Sequence, residues 1–251
     1  MHSTEFCTDN REQFYKETIE ANIGMICVGT DQRSSRQAVE FAANHELTWA
    51  AIGVHPHDTK DGWEDVKTLL ENKTENSSIV AIGEIGLDYY YNNSPRETQI
   101  EGLEAQLQMA IDYDLPVSFH VRDGAKGQPS VWDDFWPIFD NFPRLRGVLH
   151  SFTDTRDNLE KGFSRNLYVG LNGISTFTKD QLQKELFASI PLERLLLETD
   201  APFLTPTPFR GNINKPEYVR LVAEYWAKQR NIDFDVLSQA TLHNTKELFG
   251  I

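Results

Sequence analysis

Cysteine is scarce in this chain, and its two residues, Cys7 and Cys27, do not amount to a disulfide framework. A reducing compartment is the default for such a composition, so a cytoplasmic protein is expected. Long apolar runs are missing as well. No stretch approaches the ~20 consecutive apolar residues that cross a membrane, which excludes a spanning helix and a membrane partner. The opening MHSTEFCTDNREQF has neither the basic nor the apolar region of a secretory signal. Basic residues are in deficit: Lys and Arg number 24 against 38 Asp and Glu, a net charge of −14. That argues against a protein that coats nucleic acid by charge alone. It leaves room for an enzyme acting on nucleic acid, because a bound divalent cation neutralises a phosphate locally. A glycine-rich phosphate loop and a G-x-S-x-G nucleophile elbow are both absent.

What is present is a regular alternation. Short apolar runs expected as strands lie at 24–28, 48–54, 78–85, 116–121, 147–151, 167–171 and 195–198. Amphipathic stretches expected as helices fall at 10–21, 34–44, 63–72, 95–113, 131–139, 155–163, 179–188, 215–230 and 234–249. This is the pattern of βα units around a parallel sheet. With 251 residues, 39% of them hydrophobic, and no long linker, one domain spanning 1–251 is expected. The fold class is α/β, a TIM-type (β/α) barrel. Such a barrel closes with eight strands, and only seven are legible. The first strand is therefore expected to be missing, or replaced by something irregular at 1–6. An open doubly wound sheet takes seven strands without difficulty. The placement of the chemically capable side chains favours the barrel, whose strand ends converge.

Four apolar runs end in a metal-type ligand. They are AIGEIGLD (81–88), SFHVRD (118–123), VLHSF (148–152) and LLLETDAPFL (195–204), which carry Glu84, His120, His150 and Asp200. The carboxyl edge of a parallel barrel is where catalytic side chains meet. Two imidazoles and two carboxylates at one point make a hydrolytic metal centre suited to magnesium, manganese or zinc. Each residue alone has a plainer reading: a loop carboxylate, a satisfied strand-end histidine, a turn cap. The repetition of one arrangement at the same end of several strands shifts the balance toward function. Glu198 is expected to point to the barrel wall, because side chains alternate along a strand.

In GVHPHD (53–58), the H-x-H spacing puts His55 and His57 on one side of an extended segment held by Pro56. A ligand pair, a phosphate-contacting pair and a rigid loop all remain open there. FRGNINKP (209–216) offers Arg210, Asn214 and Lys215 just before a helix, a natural phosphate site or a polar surface loop. Arg122, two residues after His120, is expected to contact an anion.

Together these segments resemble the TatD family of metal-dependent deoxyribonucleases, among the amidohydrolase-like barrels. The resemblance runs from about residue 6 to residue 251. GVHPHD, AIGEIGLD, FHVRD, VLHSF, LETDAPFL and the segment of Arg210, Asn214 and Pro216 stand in the family's order, and NTKELFGI (244–251) is similar to its terminal helix. The resemblance implies a TIM-type barrel with one or two divalent cations on Glu84, His120, His150 and Asp200. It implies cleavage of DNA phosphodiesters, often from the 3′ end, in repair or DNA degradation. One departure is visible: many members carry an H-x-H pair on the first strand, and here His2 is the only imidazole near the N-terminus. The chain is similar in this to a subgroup that lacks the pair, which puts a second metal in question; His55 and His57 are the substitutes to test.

The expected function is metal-assisted hydrolysis of DNA, with Glu84 and Asp200 catalytic and Asp200 the general base. Arg122, Arg210 and Asn214 are expected to hold flanking phosphates. The substrate would be single-stranded DNA or a 3′ end, and the protein a monomer. Two rivals stand beside this reading. One is a barrel hydrolase of a small lactone, amide or phosphoester, in which a carboxylated lysine often bridges two metals; Glu84 at that position leans toward the nuclease. The other is a weakened barrel that binds metal or nucleic acid without turnover.

Overall fold

The computed structural model describes residues 11–73 and 78–251. The expected irregularity at 1–6, and His2 with it, lies outside the described residues. The first described element is helix α1 (Arg11–Glu20). The chain divides into two compact units, one of residues 25–147 and one joining 148–251 to the segment that contains α1.

In the first unit, β1 (Met25–Val28), β2 (Thr48–Ile52), β3 (Ile79–Asp88) and β4 (Val117–Arg122) pair in sequence order, each parallel to the last. Parallel pairing requires a crossover, and helices α2 (Gln32–Ala43), α3 (Glu64–Glu71) and α4 (Arg96–Asp112) supply the three. Helix α5 (Trp132–Asp140) follows β4. Helix α2 starts on a capping box: the Asp31 carboxylate accepts the Ser34 N–H at 2.6 Å, and the Asp31 N–H donates to Ser34 Oγ at 3.0 Å. The core is aromatic and aliphatic, with Phe119 of β4 edge-on to Phe135 of α5 at 5.3 Å between ring centres.

Strand β3 runs further than the expected 78–85, because pairing continues through Gly86↔His120 to Asp88↔Arg122. Close approach explains Gly83 and Gly86. A Cβ at Gly86 would stand 1.7 Å from the His120 carbonyl oxygen, and one at Gly83 would stand 2.7 Å from Ser118 Cβ. Only glycine fits, so the strand carries Glu84 and Asp88 hard against β4.

Helix α4 buries two glutamines on one face, two turns apart. Gln106 accepts the Val54 N–H at 2.7 Å and donates to the Val54 carbonyl at 3.1 Å. Gln99 accepts the Asp88 N–H at 2.8 Å and donates to the Asp88 carbonyl at 3.1 Å. Both amides replace a lost ladder partner at the point where a strand ends. They fix the backbone immediately before His55 and at Asp88.

In the second unit, β5 (Gly147–Leu149), β6 (Tyr168–Leu171) and β7 (Leu195–Leu197) are likewise parallel and sequential. Around them lie α6 (Arg156–Ser164), α7 (Ile174–Phe177), α8 (Gln181–Ala188), α9 (Val219–Arg230) and α10 (Phe234–Phe249). Val148, Tyr168, Leu196 and Leu248 form one buried cluster, and buried Trp226 donates to Ser175 Oγ at 2.8 Å. The parallel, sequential βα pattern is the one that a TIM-type barrel requires. Among the described residues no helix is long and apolar enough to cross a membrane.

Candidate metal centre

In the unit of residues 25–147, three strand ends deliver a cluster. His55 follows β2, Glu84 and Asp88 stand on β3, and His120 stands on β4. One donor atom from each of His55, Glu84 and His120 lies within 4.8 Å of the others. His120 is the hub. Its Nδ1 is 2.9 Å from Glu84 Oε1 and its Nε2 is 2.9 Å from Asp88 Oδ2. Ionised carboxylates only accept, so both ring nitrogens donate and the imidazole is charged. Burial opposes that charge, but the bonds to Asp88 and Glu84 outweigh it and raise the His120 pKa to about 9.

His55 has the opposite fate. Burial, then the neighbouring charge of His120, pushes it down to about 3, so its ring is neutral. Its Nε2 lies 3.9 Å from Glu84 Oε1. Neutral imidazole is the metal-binding form. Asp88 is wholly buried. Burial raises its pKa, yet the bond from His120 and the Tyr91 N–H hold it well below the usual carboxylate range. Its Oδ2 also meets His57 Nε2 at 3.0 Å, and its Oδ1 accepts the N–H groups of Tyr90 and Tyr91 at 2.9 Å each.

The donor chemistry fits a divalent cation. A buried carboxylate between two imidazoles offers mixed oxygen and nitrogen donors. The proton on His120 is a positive charge already held in that cage, and a metal ion would take its place. His55, open between three readings in the sequence, stands with the donor group. His57 stands one step back, on Asp88.

The second unit holds the other pair. His150 ends β5 and its Nε2 lies 3.6 Å from Asp200 Oδ1. Asp200 has φ 57°, a left-handed conformation that aspartate tolerates better than most residues. Glu198 does not face a barrel wall. Its Oε2 meets His150 Nδ1 at 2.8 Å and its Oε1 accepts the Ser151 N–H at 2.5 Å. Strand β7 ends at Leu197, so strict alternation no longer governs the residue after it. Glu198 fixes the His150 ring, as partners of metal-binding histidines do.

Of the four expected ligands, Glu84 and His120 meet in one unit and His150 and Asp200 in the other. Asn214 has a different task from the expected phosphate contact. It is buried, and its amide donates to the carbonyls of Thr199 and Phe203 at 2.7 and 2.5 Å, closing the loop that carries Asp200. Arg210 is exposed, with its guanidinium 3.8 Å over the Phe177 ring and bonded to the Thr205 carbonyl. Arg122 is exposed and lies over the rings of Tyr90 and Tyr91. Asp88 was not singled out by the sequence reading. The signal was the even spacing of Glu84, Gly86 and Asp88, which puts all three on one face of an extended strand.

Comparisons with known proteins agree with this chemistry. The family model described as TatD related DNase matches residues 1–250. A Bacillus subtilis protein described as the uncharacterized metal-dependent hydrolase YabD is 32% identical over 251 residues, 100% of this chain and 96% of that protein. A 3′-5′ ssDNA/RNA exonuclease TatD of Pantoea ananatis is 34% identical over 258 residues, 100% of this chain and 97% of that protein. Among solved structures, the TatD homologue YJJV of Escherichia coli K12 superposes with a TM-score of 0.86 at 29% identity, covering 96% of this chain and 92% of that one. That likeness carries the TIM-type α/β fold.

Proposed function

The chain belongs to the TatD-related DNase family and is a metal-dependent hydrolase; from that premise we propose that it removes nucleotides from the 3′ end of single-stranded DNA. The observation that carries the proposal is the cage of His55, Glu84 and His120, braced by Asp88. These three residues would hold the ion, and His57 and Asp88 would orient His120. A divalent ion held there polarises a phosphate oxygen and acidifies a water. His120 must surrender its proton for the ion to enter, and Glu84 then remains as the anionic donor. Asp200 is assigned the role of proton acceptor for the attacking water; its side chain is 34% exposed beside His150 and open to substrate. Glu198 keeps the His150 ring in place. Exposed Arg122 and Arg210 are assigned to the flanking nucleotides. The proposal includes one or two ions of magnesium, manganese or zinc, in a cytoplasmic monomer that works as one hydrolase domain. The name of the Pantoea ananatis relative supports the polarity and the single-stranded substrate.

A 5′-labelled single strand supplied with magnesium, manganese or zinc is expected to shorten stepwise from its 3′ end and to stay whole with EDTA. Asp200→Asn is expected to lower turnover by about 100- to 10,000-fold while leaving the fold intact. A strand left whole with every metal refutes the nuclease; full turnover by Asp200→Asn refutes the assigned base.

A further inference from the structure

Beside the metal centre stands a pair of tyrosines that the hydrolytic chemistry does not use. Tyr90 and Tyr91 are 55% and 53% exposed, far more than tyrosines in a packed interior. They occupy the turn after β3, and that turn is fixed, because Asp88 Oδ1 accepts both of their N–H groups at 2.9 Å. The same carboxylate bonds His120 and His57 through Oδ2. One side chain thus ties the tyrosine turn to the metal centre. The Arg122 guanidinium lies 4.5 Å from the Tyr90 ring centre and 4.8 Å from that of Tyr91. The Tyr91 ring is edge-on to His57 at 5.5 Å, and the His57 ring is edge-on to His55 at 4.3 Å. A single imidazole therefore separates this platform from the donor group.

We infer that Tyr90, Tyr91 and Arg122 form a stacking site for a nucleobase of the single strand whose backbone reaches the metal centre; this rests on the nuclease reading above. Charge favours such a site. A chain with net charge −14 repels a phosphate backbone at long range. Affinity for a single strand then gains from contacts that ignore backbone charge, and bases stacking on aromatic rings are such contacts. Arg122 adds a local cation and a second flat surface. The turn that carries the two rings is already held by Asp88, so its backbone loses little freedom on binding. Stacking tolerates every base, so the site selects unpaired nucleic acid and not a sequence. In a duplex the bases are already stacked on one another and present no face to the tyrosines.

The test is binding in EDTA, which needs no turnover. A single strand carrying 2-aminopurine at its 3′ end is titrated with the protein, and an otherwise identical strand abasic at its last positions competes. The intact protein is expected to quench the 2-aminopurine and to prefer the base-bearing strand by about 10-fold or more. Tyr90→Ala/Tyr91→Ala is expected to lose both the quench and the preference, and Tyr90→Phe/Tyr91→Phe to keep them. Equal affinity for the two strands, or a preference that survives the double alanine variant, overturns the stacking site. A thermal melt of the alanine variant matching that of the parent assigns the loss to the rings, and loss of fold is answered by the phenylalanine variant, whose failure to discriminate also overturns it. Base-dependent binding without cleavage under any metal would retain this site and reject the nuclease. Cleavage without base preference would do the reverse.

Discussion

Two histidines end successive strands in the chain, and their surroundings differ. His120 has a carboxylate on each ring nitrogen, both at 2.9 Å. His150 has Glu198 on one nitrogen at 2.8 Å, while Asp200 stands 3.6 Å from the other, beyond hydrogen-bond length. The first ring must be charged to satisfy its partners, and burial to 20% side-chain exposure keeps water from doing so instead. The second ring meets Glu198 at hydrogen-bond distance and stands near a carboxylate with 34% side-chain exposure. A cage that stores positive charge suits a cation. An oriented ring beside a solvent-reached carboxylate suits proton handling.

The largest effect that separates them is expected from paired substitutions. Glu84→Gln removes the anion of the cage and is expected to lower metal-dependent hydrolysis by about 1000-fold or more. Glu198→Gln keeps a hydrogen-bond acceptor near His150 and is expected to cost about 10- to 100-fold in activity or metal affinity. Nuclease assays and metal titration by calorimetry measure both. Equal losses would erase the distinction between the two sites.

Acidity gives the next contrast. In metal-free protein the His120 pKa is raised to about 9, so its contribution is complete below the ordinary histidine value near ~6.5 and is lost as pH rises toward 9. His55, lowered to about 3, has the opposite sign: its contribution is complete above ~6.5 and is lost as pH falls toward 3. Metal-free protein is therefore expected to be most stable near neutral pH. Apparent metal affinity is expected to climb with pH up to about 9, as the ion competes with the His120 proton. Denaturant melts and metal titrations across pH 5 to 9 check both trends, and a pH-independent affinity would show that His120 is no ligand.

The smallest expected effect lies outside the ligands. Gln106→Leu leaves the Val54 N–H and carbonyl buried without a partner, at a cost of about 1–3 kcal/mol in unfolding free energy. Metal affinity should fall with it through His55, while the His150 side keeps its geometry. Urea unfolding measures the first and metal titration the second.

Much of this was legible in the sequence because apolar runs mark buried strands wherever the flanks are polar. Among the described residues each of the seven runs carries a strand. Gly83 and Glu84 lie inside the expected strand 78–85, whereas the continuation to Asp88 was not legible, because Gly86 looks like a strand breaker and is needed only where β4 packs too close for a Cβ. Glu84 and His120 were legible by position at strand ends and stand together in one cluster, which His55 also joins. Asp88 lies three residues beyond the expected end of the strand, so it carried no strand-end signal. Asn214 was misread because its partners, Thr199 and Phe203, are supplied by a loop whose course no local pattern encodes. Glu198 was misread because the strand had already ended.

Gln99 and Gln106 belong to one rigid rod, and each grips a different strand end. If α4 slides or tilts, the segments bearing Asp88 and His55 travel as passengers on the same carriage. Their mutual spacing is thus insulated from displacements that relocate the whole assembly, and the coordination geometry tolerates breathing of the surrounding scaffold.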